Sequence, residues 1–119
     1  MPTVLVLLAD DFEEIEAFAP VNLLRRSGVE VTVASLNDNC HATGRSGITA
    51  HADVALTAVA TQIFDLVFLP GGAGVKYLRA DPRLGEIVRQ QHAANRWLAA
   101  ICAAPTVLHD AGILANRRY

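Results

Sequence analysis

The run 3–9, TVLVLLA, limits the possible folds more than any other part of this sequence. It is β-prone and apolar at nearly every position rather than at alternate ones, and it is far too short to cross a bilayer. Such a run must be covered on both faces, as a central strand of a parallel sheet is. A polar turn follows, then a stretch 13–27 in which Ile15, Phe18, Ala19, Leu23 and Leu24 recur at helical spacing and would form its buried stripe. Arg25 and Arg26 followed by Gly28 make a helix C-terminus. Pro20 inside the stretch predicts a kink or a restart. Residues 29–35 resume a strand pattern, so 3–35 reads as one βαβ unit.

The rest of the chain repeats this alternation. Residues 36–50 are broken by Asn, Asp, Gly and Ser, with a short hairpin arm expected at 47–50 and a brief helix at 54–61. A third buried strand at 65–69 ends in Pro70-Gly71-Gly72. Asp81-Pro82 opens a helix that reaches about residue 95, with Pro82 at its first position. A fourth strand, 97–101, is ended by Cys102, and a helix 103–111 is closed by Gly112. The expected architecture is a single α/β domain over 1–119, a three-layer sandwich around a mainly parallel sheet. With 52% hydrophobic residues the chain can fill such a core.

In sheets of this kind ligands bind at the carboxyl ends of the strands. The fold would gather three features on that edge: the acidic turn from Asp10 to Glu16, the Pro70-Gly71-Gly72 turn, and Cys102. A residue between a buried strand and a helix is forced into a tight turn that presents its side chain outward. A helix N-terminus favours the thiolate form of a cysteine held there. The small neighbours Ala100, Ala103 and Ala104 leave room for such an elbow, although a free cysteine is also a common buried hydrophobe. The Gly71-Gly72 turn can aim backbone N–H groups at a developing oxyanion or be an ordinary turn. Glu13 and Glu14 are read as solvated first-turn carboxylates. Glu16 lies at the edge of the apolar stripe, where a partly buried carboxylate beside a thiol could carry a proton.

Several function classes are disfavoured on the same grounds. A net charge of −2 with no basic stripe argues against a nucleic-acid site. Gly71-Gly72-Ala73-Gly74 matches neither a dinucleotide nor a phosphate-loop motif, so no cofactor is called for. Cys40 and Cys102 fit no metal spacing and no disulfide framework. The N-terminal run lacks a basic flank and a cleavage site, which places the protein in the cytoplasm, away from membranes. His41, His51, His92 and His109 offer no evident catalytic partner, His92, among Gln90, Gln91 and Asn95, being placed on a solvated face.

Taken in order, Glu13-Glu14-Ile15-Glu16 with Arg25-Arg26-Ser27-Gly28, Leu69-Pro70-Gly71-Gly72, and Ala99-Ala100-Ile101-Cys102-Ala103-Ala104-Pro105 resemble the ThiJ/PfpI superfamily. The likeness is to the branch of the parkinsonism-associated deglycase and its bacterial relatives, and it runs over essentially the whole chain. It implies a flavodoxin-like fold and a homodimer. It implies that Cys102 is the elbow cysteine, that Glu16 is hydrogen-bonded to it, and that Gly72 and Ala103 supply oxyanion N–H groups, with Gly71 as the supporting turn. It also implies a glutathione-independent glyoxalase or deglycase acting on methylglyoxal, glyoxal, or glycated proteins and nucleotides through a Cys102 hemithioacetal. A redox-sensing holdase chaperone, a cysteine peptidase or amidohydrolase, and a non-catalytic truncated subunit are the alternatives. Against the family pattern the sequence stops at Tyr119, soon after the nucleophile helix. The final strand and helices, and the histidine that many members place near the cysteine, are then expected to be missing, with a sheet edge left unpaired.

Overall fold

A computed structural model describes residues 1–118. In chain order the elements are β1 (Thr3–Leu8), α1 (Glu14–Arg26), β2 (Glu30–Ser35), β3 (His41–Thr43), β4 (Thr49–His51), β5 (Val54–Ala55), a 3₁₀ turn (Leu56–Ala58), β6 (Leu66–Leu69), α2 (Val75–Ala80), α3 (Pro82–Ala93), β7 (Trp97–Ala100) and α4 (Pro105–Asp110). The main sheet has the order β5-β2-β1-β6-β7, and its paired strands are all parallel. β3 and β4 form a separate antiparallel ribbon, which places a hairpin where a short arm was expected.

The unbroken apolar run of β1 has its cause in this order, since β1 is the middle strand and is covered on both faces. Leu5 and Leu7 point to one side, where they pack with Val75 and Leu78 of α2, Leu84, Ile87 and Val88 of α3, and Val107 and Leu108 of α4. Val4, Val6 and Leu8 point to the other, against Ala17 and Val21 of α1 and Val31 and Val33 of β2. The result is the α/β sandwich that the alternation predicts.

Four local expectations need correction. The inward face of α1 carries Glu14, Ala17 and Val21, with Phe18 and Leu24 packed against the core as expected, while Ala19 is exposed and Ile15 and Leu23 are 75% and 60% exposed. Small Ala17 and Val21 let the helix lie close over the sheet, and the large apolar Ile15 and Leu23 on the other side are left exposed. Pro20 removes the N–H that would bond the Glu16 carbonyl, and α1 runs through it as one element with no restart. Residues 54–61 do not form the predicted helix: Val54 and Ala55 pair with Ala34 and Ser35 at the sheet edge before one 3₁₀ turn, because strand pairing overrides local propensity there. Finally, α4 begins at Pro105 rather than at residue 103, and the sequence reading missed α2 altogether.

His92 is exposed as expected, whereas Gln91 beside it is buried. Its amide accepts from the Phe64 N–H at 3.1 Å and donates to the Phe64 and Trp97 carbonyls at 3.0 and 3.3 Å, tying together the starts of β6 and β7. β7 is the edge strand opposite β5, and Trp97 at its start is exposed. Among the described residues no helix is long and apolar enough to cross a membrane.

Candidate active site

Three neighbouring strands, β1, β6 and β7, end on the same side of the sheet. Their exits are the turn from Asp10 to Glu13, the Pro70-Gly71-Gly72 turn, and Ile101-Cys102. The topology therefore brings together the three features that the sequence singled out.

Cys102 has φ 59°, in the left-handed region that side chains with a Cβ avoid. The other described non-glycine residues there are Asp11, Asn95 and Asn116, whose short polar side chains tolerate it, and the half-buried Cys40. A left-handed conformation costs a residue like cysteine about 1–2 kcal/mol, which the surrounding packing must offset. The cause is visible on both sides. The Ile101 N–H still donates to Leu69 O at 3.3 Å, continuing the β6–β7 ladder, while the Ala104 N–H donates back to Ile101 O at 3.0 Å, closing a turn. The chain must reverse at Cys102, and the side chain is left exposed. α4 is only six residues long and starts beyond Ala104, so the turn holds Cys102 and the expected helix N-terminus is not beside it.

Gly71 is the contact point of the site. Its N–H donates to Glu16 Oε1 at 3.0 Å. A Cβ on Gly71 would lie 2.5 Å from that same oxygen, 2.7 Å from Cys102 Cβ and 2.9 Å from Ile101 O. Only glycine lets the Glu16 carboxylate, the β6 turn and the cysteine elbow close on one another. The Gly71 carbonyl accepts from the Glu13 N–H at 3.0 Å, so the turn is held by the start of α1 from two directions. Gly72 is equally constrained: its φ is 101°, and a Cβ there would come within 2.7 Å of Glu13 N and 2.9 Å of Asp11 O. The N–H groups of Gly72 and Ala103 donate to no protein group among the described residues, and both residues line one surface groove. Thr106 Oγ1 donates to Ala103 O at 2.6 Å and steadies that peptide.

The turn that leads into Glu16 is fixed by a clamp that the local sequence pattern does not announce. The β3–β4 hairpin donates Ser46 N–H to Glu14 Oε2 at 2.9 Å and Ile48 N–H to the same oxygen at 3.4 Å. Gly44 has no room for a Cβ, because the Glu14 carboxylate occupies that space. Asp11 N–H donates to Thr43 O at 2.7 Å, Arg45 N–H to Phe12 O at 2.9 Å, and Thr43 N–H to Asp10 Oδ1 at 3.0 Å. Glu14 is thus buried rather than solvated. Burial pushes its carboxyl up, but the backbone N–H groups of Glu14 itself, Ser46 and Ile48 together outweigh that and hold it below its ordinary 4.5. The available signal was the Gly44-Arg45-Ser46-Gly47 turn, whose free N–H groups need an acceptor.

Cys40 lies in the hairpin region, and His92 and His109 are exposed near the ends of α3 and α4. His41 and His51 stack across the β3–β4 ribbon with ring centroids 4.8 Å apart. Among the described residues no group of three or more His, Cys, Asp or Glu side chains could hold a metal ion.

Residues 2–119 match the model of the DJ-1/PfpI family. A deglycase of Pyrococcus abyssi is 36% identical over 115 residues, covering 97% of this chain and 69% of that protein. The glutathione-independent glyoxalase DJR-1.2 of Caenorhabditis elegans is 35% identical over 113 residues, covering 95% of this chain and 60% of that one. The structure of oxidized Toxoplasma gondii DJ-1 superposes with a TM-score of 0.93 at 36% identity, over 98% of this chain and 64% of that one. The chain thus spans between three-fifths and seven-tenths of the length of these relatives.

Proposed function

This chain belongs to the DJ-1/PfpI family, and on that premise we propose that it is a cysteine-dependent glyoxalase and deglycase, with Cys102 as nucleophile and Glu16 as proton carrier. The observation that carries the reading is the Gly71 contact, where Glu16 Oε1 and Cys102 Cβ both crowd the space of one missing methyl group. Relatives named deglycase and glyoxalase support the substrate class, small α-oxoaldehydes and their early adducts on proteins or nucleotides. The residues would work in a reducing cytoplasm, where both cysteines persist as thiols.

The Cys102 sulfur adds to the aldehyde carbon of methylglyoxal, forming a C–S bond as the carbonyl π pair moves to oxygen. The Gly72 and Ala103 N–H groups, free of protein acceptors, stabilise that oxygen. Glu16 takes the proton from the hemithioacetal carbon and returns it to the neighbouring carbon, so the former aldehyde carbon is oxidised to a thioester and its neighbour reduced to an alcohol. Water then attacks the thioester, lactate leaves, and the thiol is restored. The sum is methylglyoxal plus water to lactate, with no external oxidant or reductant. Lactate formation without glutathione by the wild type and its loss in Cys102→Ala are expected; equal rates would overturn the reading.

A second reading rests on the exposure of Cys102 set against the half-buried Cys40. It is a redox-sensing chaperone in which peroxide adds one or two oxygens to Cys102. Intact mass after mild peroxide, compared with Cys102→Ala, tests it; the same oxygen uptake by both would exclude it. The proposed assembly is a homodimer, because exposed Ile15 and Leu23 of α1 and exposed Ile48 of the hairpin leave apolar surface beside the site.

A further inference from the structure

The groove lined by Gly72 and Ala103 continues past them to Ala73, Lys76, Arg79 and Asp110. Arg79 and Asp110 face each other across it in a two-point ion pair, Nε to Oδ2 at 2.7 Å and Nη2 to Oδ1 at 3.0 Å. Each partner stabilises the ionised form of the other, raising the arginine and lowering the aspartate from their ordinary values. The pair is therefore electrically closed and offers no net charge to a ligand. Lys76 is different. Among the described residues it joins no ion pair; its ammonium lies 5.0 Å from the centroid of the exposed Tyr77 ring, within reach of its π face. The lining of the groove carries one uncompensated charge, and it is positive.

We infer that Lys76 is a specificity-determining residue, and that the groove guides a carboxylate-bearing reactant to Cys102. The single uncompensated cation matches a monoanion such as a carboxylate, whereas a phosphate dianion would leave excess negative charge beside Asp110. The favoured substrates would then be α-oxoaldehydes or glycated amines that carry a carboxylate, with the reacting carbonyl at the Gly72 and Ala103 N–H groups and the carboxylate toward Lys76. The inference rests on the proposed role of Cys102 as nucleophile, but the test needs only a thiol that can be alkylated.

The test compares the rates at which Cys102 is alkylated by iodoacetate, an anion, and iodoacetamide, its neutral analogue. The ratio of the two rates cancels the intrinsic reactivity of the thiol. A single charge acting through water at short range changes such a ratio by about threefold. Lys76→Gln is expected to lower the iodoacetate-to-iodoacetamide ratio by about that factor, and Lys76→Glu by about tenfold. In the wild type, raising the salt to 1 M, where the screening length is about 3 Å, is expected to lower the ratio as well. The same ratio in wild type and both variants, or a wild-type ratio indifferent to salt, overturns the inference. The two proposals fail separately. A shifted ratio with no lactate formed leaves the groove and removes the glyoxalase; lactate formed with an unshifted ratio does the reverse.

Discussion

Glu14 and Glu16 stand two residues apart at the start of α1, and their carboxylates turn to different parts of the protein. Glu14 points into the hairpin loop, where it is buried and accepts N–H groups from Ser46 and Ile48. Glu16 points across the strand ends, accepts the Gly71 N–H and lies against the space beside Cys102. Each displaces a would-be methyl group, at Gly44 in one case and Gly71 in the other. The difference lies in what closes the contact. Glu14 is enclosed by backbone N–H groups and contributes an anchor for the turn from Asp10 to Glu13. Glu16 is only partly buried, and among the described residues its one hydrogen bond is from the Gly71 N–H; the bond to Cys102 that the resemblance implies is not formed, and the two side chains meet only across the space above Gly71. Two identical side chains thus divide into a scaffold carboxylate and a proposed working one.

That division is sharpest in activity. Glu16→Gln keeps the shape of the side chain and removes its basicity, so methylglyoxal turnover is expected to fall about 10²–10⁴-fold while the melting temperature stays close to wild type. A fall in melting temperature that accounts for the loss would erase the distinction between the two carboxylates. Gly71→Ala tests the same contact without touching a reacting group. Its methyl group must push Glu16 and Cys102 apart, and a misplacement of about 1 Å is expected to cost about 100-fold in turnover; unchanged kinetics would show that the contact does not position the reaction.

On the scaffold side the effects are smaller and fall on stability. Gly44→Ala forces a methyl group into the Glu14 carboxylate and is expected to destabilise the protein by about 1–3 kcal/mol in denaturant unfolding, with Cys102 alkylation in the folded protein preserved. The smallest effect is a pH dependence. Because the carboxyl of folded Glu14 is held below its ordinary 4.5, its stabilising contribution is present above that value and is lost as pH falls through the depressed one. The stability gap between wild type and Glu14→Gln is therefore expected to narrow below about pH 4.5. A gap that is constant from neutral pH into acid would mean that the ionised carboxylate is not what holds the hairpin.

The sequence carries the sheet and most of the site, but not the clamp. The unbroken apolar run of β1 announces a strand covered on both faces, and the alternation after it places Gly71 and Cys102 at neighbouring strand ends. These are consequences of burial and chain direction, which a local pattern records. On α1, helical spacing finds Phe18 and Leu24 but also counts Ile15 and Leu23 as core, whereas close approach to the sheet selects the smaller Ala17 and Val21. Glu14 was misread because its burial depends on a hairpin loop some thirty residues away, and nothing near Glu14 in the chain signals those donors. α2 was missed because the six residues Val75–Ala80 show too little periodicity to stand out.

Cys102 and Glu16 are proposed to act as one unit across Gly71, and a double-mutant cycle on kcat/KM for lactate formation from methylglyoxal tests this most directly. Groups that serve one step lose their effect together, so Cys102→Ala with Glu16→Gln is predicted to be no slower than the slower single variant. A double variant whose loss is the product of the two single losses would contradict this, because the two side chains would then act independently.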